Sequence, residues 1–66
     1  MRVTVNGQQK EEANGTTVAD LAASLKLDAR NIAVELNRAI VKKSEYGSTV
    51  LHDGDTVEIV TFVGGG

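Results

Sequence analysis

Gly64-Gly65-Gly66 close the sequence, and the carboxylate behind them is its most distinctive chemical group. A carboxylate resists nucleophiles until a good leaving group is installed on it. Adenylation by a partner protein installs one, which would turn Gly66 into an acyl donor toward sulfur, an amine or a thiol. A thread without side chains suits that use, because it enters a narrow channel and lets catalytic groups come close to the backbone. Three extended residues reach about 10 Å. Taken alone, the same triplet also reads as a frayed end, since ordering glycine carries the largest entropic cost.

Other groups capable of chemistry are sparse. His52, the single histidine, stands beside Asp53 and Asp55. Calcium loops need oxygen ligands at alternating positions with a Glu well downstream, and zinc needs more His or Cys. Here the alternation stops after the aspartates, and His-Asp-Gly-Asp ahead of a strand is ordinary turn chemistry. The absence of cysteine removes disulfides, a thiol nucleophile and a side-chain persulfide. Ser24, Ser44 and Ser48 fall on helix surface or loop with no partner base. Glu35 and Glu58 alternate against apolar neighbours and read as solvated strand positions. The glycines make no phosphate loop, because no helix follows them. The expectation is a protein that is not an enzyme and binds neither metal nor cofactor.

The elements that must carry Gly66 are legible from periodicity. RVTVN alternates, with Val3 and Val5 on one face, and Asn6-Gly7 is the strongest short hairpin signal. The return strand, about Gln8 to Ala13, is polar, and Lys10, Glu11 and Glu12 protect it as an edge. After an Asn14-Gly15 turn, Val18, Leu21, Ala22 and Leu25 form the apolar stripe of a helix of about three turns. Thr17 and Asp20 fit a capping box, and the helix is expected to end near Lys26. Ile32 to Leu36 alternates as a third strand, and Asn37-Arg38 turns into a short fourth containing Ile40 and Val41. Residues 42–49 read as polar and irregular, with Ser44-Glu45-Tyr46 a single helical turn. TVEIVTFV is the closing strand, its Val57 and Ile59 facing the core. Val60 and Phe62 then point the other way, as an exposed apolar pair of the sort that marks a partner site; the alternatives are that Phe62 folds over the rim of the core, or that the strand twists and both faces are partly covered.

Size and charge set the frame. Sixty-six residues make one small domain, divided here as 1–63 for the body and 64–66 for a flexible glycine tail. The charge of −2 and the scattered Lys and Arg exclude a nucleic-acid face, and no apolar run is long enough to span a membrane. Without a secretory leader after Met1, a cytoplasmic location is expected.

Joined to a ββαββ order, the terminal glycines acquire meaning. The chain resembles the ubiquitin-like β-grasp sulfur carriers, in particular the carriers of thiamine (thiazole) biosynthesis. The resemblance covers nearly the whole chain and is carried by IAVELNRAIV, LHDGDTVEIV and TFVGGG. It implies an α+β β-grasp fold, a mixed sheet with one packed helix. It also implies a cycle run by others: a ubiquitin-activating-like adenylyltransferase uses ATP and Mg to activate Gly66. Sulfur from a cysteine-desulfurase persulfide then replaces AMP to leave a thiocarboxylate, and thiazole synthase accepts the sulfur. On that reading Gly65 supplies clearance in the partner active site, Gly64 is a spacer, and Val60 and Phe62 dock the enzymes. The short chain favours this branch over the molybdopterin carriers. A protein modifier conjugated to lysine amines and a plain interaction domain are the alternatives from other classes.

Overall fold

The computed structural model describes residues 1–62. The expected boundary between body and tail, and Gly64, Gly65 and Gly66 themselves, lie outside the described residues.

The strands are β1 (Arg2–Val5), β2 (Gln8–Glu11), β3 (Ile32–Leu36), β4 (Ala39–Val41) and β5 (Thr56–Thr61), with one helix, α1 (Val18–Ser24). They form one sheet in the order β2-β1-β5-β3-β4, so the last strand of the chain lies at the centre. β1 runs parallel to β5, and the other pairs are antiparallel. This is the mixed β-grasp sheet with one packed helix.

Two hairpin turns set the registers. Asn6 and Gly7 both take positive φ, 49° and 84°, and Val5 pairs with Gln8. Asn37 and Arg38 do the same at 51° and 72°, with Leu36 opposite Ala39. That geometry matches the twist of the flanking strands, which is why both loops need only two residues. The asparagines also act at a distance. Asn6 closes on β5 with its side chain, Oδ1 accepting from Ile59 N at 2.8 Å and Nδ2 donating to Ile59 O at 3.2 Å. Asn37 Oδ1 accepts from Thr56 N at 2.9 Å. Each turn therefore helps to pin the strand that leads to the terminus.

The core lies between the sheet and α1: Val3, Val5, Val18, Leu21, Ala22, Ile32, Val34, Val41, Tyr46, Leu51, Val57 and Ile59 are all buried. Val57 and Ile59 face it as the alternation requires. The capping box is formed, with Asp20 N donating to Thr17 Oγ1 at 3.1 Å and Thr17 N to Asp20 Oδ2 at 3.0 Å.

Four sequence expectations need correction. β2 ends at Glu11 rather than Ala13, because the Ala13 carbonyl is taken by the following turn, accepting from Thr16 N and Oγ1. The helix has 7 residues, two turns rather than three. It stops because Lys26 enters the left-handed region at φ 60°, letting Lys26 N bond Ala23 O and Leu27 N bond Ala22 O. That is a Schellman ending with lysine where glycine is usual. A 3-10 turn at Ala29–Asn31, absent from the sequence reading, precedes β3. Finally, the segment read as polar and irregular has structure: its helical turn covers Lys43–Glu45, one residue earlier than expected, and Tyr46 is buried. Its carbonyls serve α1, Tyr46 O accepting from Ala19 N and Thr49 O from Val18 N. Those are the first helical donors, which no residue inside the helix can satisfy.

Candidate functional site

One face of the sheet carries α1; the other is open. On it β5 places Glu58 and Val60, β3 places Ala33 and Glu35, and β4 places Ile40. Register brings these together in rows: Ala33 lies opposite Val60, and Glu35 lies between Glu58 on one side and Ile40 on the other. Ile40 is 70% exposed, Val60 59% and Phe62 53%. For Phe62 this argues against a ring folded over the core rim, which would be largely covered. Ile40 is a further exposed apolar side chain on this face, separated from Val60 by β3, and was missed. Only one of the neighbours Ile40 and Val41 can face the core of a three-residue edge strand, and Val41 takes that place.

Beside this apolar patch lies an open groove of about 380 Å³, lined by Glu35, Asn37, Arg38, Thr56 and Glu58. Glu35 and Glu58 stand directly opposite across β3 and β5, an arrangement that is mildly repulsive. Both are exposed, as expected of solvated strand positions.

The β3–β5 ladder continues one rung beyond the two strands, to the root of the glycine segment. Phe62 N donates to Asn31 O at 2.8 Å. Lys43 Nζ sits 5.6 Å from the centre of the Phe62 ring and donates to Arg30 O at 2.9 Å. The 3-10 turn that supplies both carbonyls is braced by Asp28. Its carboxylate accepts from Arg30 Nη2 at 2.7 Å and from Arg30 N at 2.9 Å. The side-chain hydrogen bond from Arg30, then the one from the Arg30 backbone, lower the Asp28 pKa to about 2.

The remaining candidates do not converge on a reaction centre. His52 N donates to Asp55 Oδ2 at 2.8 Å, Arg2 N donates to Asp53 Oδ1 at 2.7 Å, and Gly54 takes φ 88°. The aspartates thus close a turn with their oxygens already engaged, as the turn reading required. Ser24 Oγ donates to Leu21 O at 2.7 Å within its own helix. Ser48 Oγ donates to Glu45 O at 3.3 Å, and Ser44 is exposed in its helical turn. Among the described residues no three His, Cys, Asp or Glu side chains come together as a metal-binding group. No helix among them is long and apolar enough to cross a membrane.

Comparison with known proteins agrees with this geometry. The model of the ThiS family matches residues 3–66. A thiazole synthase of Paramagnetospirillum magneticum is 42% identical over 66 residues, covering 100% of this chain and 20% of that protein. A second thiazole synthase, from Magnetococcus marinus, is 38% identical with the same coverage, so the chain spans only a fifth of these relatives. The sulfur carrier protein ThiS of Bacillus subtilis is 41% identical over 63 residues, covering 94% of this chain and 96% of the relative. The crystal structure of the thiamine biosynthesis protein ThiS from Geobacter metallireducens superposes with a TM-score of 0.84 at 36% identity, each chain covered in full.

Proposed function

The chain belongs to the ThiS family, and from that premise we propose that it is a sulfur carrier of thiamine biosynthesis whose Gly66 bears the sulfur as a thiocarboxylate. The observation that carries the proposal is that the family match runs through to Gly66 itself, the residue whose carboxylate is the one group suited to activation.

The chemistry follows from the carboxylate. A Gly66 oxygen attacks the α-phosphorus of ATP on an adenylyltransferase, Mg-ATP being that partner's substrate, and pyrophosphate leaves. The acyl carbon now has AMP as its leaving group. Sulfur delivered as a cysteine-desulfurase persulfide displaces it. A partner's thiol then attacks the cysteine sulfur of the resulting acyl disulfide, releasing the outer sulfur as the thiocarboxylate and leaving a disulfide between that thiol and the desulfurase cysteine. Tethered to the carrier, the sulfur reaches its acceptor at high effective concentration and without loss as free sulfide. This accounts for a sulfur-handling protein that has no cysteine. Gly65 and Gly64 keep the approach narrow, and Val60, Phe62 and the neighbouring Ile40 form the surface on which the enzymes dock.

Thiazole synthase is the proposed acceptor, because in two relatives a segment matching this whole chain belongs to a protein of that name. The cytoplasm is the proposed location. The protein takes no catalytic part: it is what the other enzymes act on.

Intact mass spectrometry after co-expression with the activating adenylyltransferase and a cysteine desulfurase tests the proposal. The expected product has one oxygen replaced by sulfur at Gly66. A ladder of isopeptide-linked adducts would make the chain a protein modifier instead. An unaltered mass would leave it a binding domain.

A further inference from the structure

β5 ends at Thr61, yet the residue after it is not free. The Phe62 amide is bonded to Asn31 O at 2.8 Å, and its ring lies 5.6 Å from Lys43 Nζ, within cation–π range. The same ammonium donates to Arg30 O at 2.9 Å. Lys43 therefore bridges the turn that receives the Phe62 amide and the ring that the amide carries. All of these groups are exposed, so the contacts add little to folding. Their position is what distinguishes them: they act where the chain leaves the sheet for the glycines.

Fixing that point has a consequence for delivery. A partner that grips Phe62 must otherwise order both the ring and the last backbone of β5, and must do so before the carboxylate is aimed. Contacts that hold the ring beforehand remove part of that cost, up to what an exposed cation–π contact supplies, a change in affinity of about two- to fivefold. We propose that Lys43 is a positioning residue: by clamping the Phe62 ring against the Arg30–Asn31 turn, it presets the root from which Gly66 is presented. The proposal rests on the reading of Gly66 as the residue that is activated. Lys43 touches no reacting atom and acts through Phe62.

Lys43→Gln, Lys43→Arg, Phe62→Ala and the double variant Lys43→Gln/Phe62→Ala separate this from direct contact with a partner. Pyrophosphate–ATP exchange on the adenylyltransferase from the same genome gives kcat and KM for each carrier. Amide exchange by NMR reports on Phe62 in the free protein. Lys43→Gln is expected to raise KM about two- to fivefold with kcat unchanged and Tm little changed, and to speed exchange of the Phe62 amide. Lys43→Arg keeps a cation and a donor, and should restore both. In the Phe62→Ala background, Lys43→Gln should add nothing. The proposal is overturned if Lys43→Gln leaves KM and Phe62 exchange at wild-type values. It is equally overturned if the KM penalty persists in full without the ring. Should the wild-type chain support no exchange of pyrophosphate, the reading of Gly66 fails; the amide measurement then still decides whether Lys43 holds the root.

Discussion

Alternate residues of β5 meet opposite surroundings. Val57 and Ile59 are buried against α1, while Glu58 and Val60 stand in solvent on the open face. The buried side is where burial of Val, Ile and Leu holds a small domain together. On the open side exposed apolar side chains border a charged groove lined by Glu35, Arg38 and Glu58, which is a poor use of surface for stability and a good one for recognition. One strand thus joins the buried body to the open face, and it leads to the segment on which the proposed chemistry takes place.

Substitutions on the two faces should differ most. Ile32→Ala, on the buried side of β3, removes a fully covered side chain and should cost about 2–5 kcal/mol, enough to unfold much of a domain this small. Phe62→Ala should cost under about 0.5 kcal/mol, as exposed positions do, while weakening partner binding. Chemical denaturation of the two variants checks the contrast. Comparable losses would mean that Phe62 belongs to the fold after all.

The end of α1 sharpens the comparison. Lys26 holds a conformation that favours glycine, at φ 60° and with an exposed side chain. Lys26→Gly should therefore stabilise the domain, by about 0.5–1 kcal/mol after the greater freedom of glycine in the unfolded chain is counted. An unchanged or lower Tm would show that the lysine is not strained there.

Least in size is the effect of the acidic pair. Glu58→Gln removes a like charge directly opposite Glu35 and should raise stability by a few tenths of a kcal/mol. Glu35→Gln should do the same, and the double variant should gain little more, since one substitution already ends the repulsion. Additive gains in a thermal melt would place the strain elsewhere.

What the sequence made legible follows from where its signals are local. Asn-Gly at residues 6 and 7, the stripe from Val18 to Leu25 and the alternation in TVEIV each report on neighbours in the chain, and each element formed. Alternation alone places Phe62 on the open side, with the core rim or a twisted, partly covered strand as the alternatives, and its exposure argues against the rim. What escaped notice depends on distant partners. Tyr46 sits in a polar stretch without periodicity, and it is buried in the common core while its carbonyl serves Ala19. The 3-10 turn at Ala29–Asn31 has no stripe to announce it, and its bond to Phe62 spans half the chain. Ile40 could have been assigned outward by noting that Val41, its neighbour, competes for the same core.

The separation of an inert body from a reactive end is tested most directly by deleting Gly66 and, separately, by replacing Gly65 with valine. Thiocarboxylate formation and Tm would be measured on the same samples. The account predicts that both variants melt with the wild type and that neither acquires sulfur. Loading that survives the deletion, or a melting point that falls with it, would contradict the account.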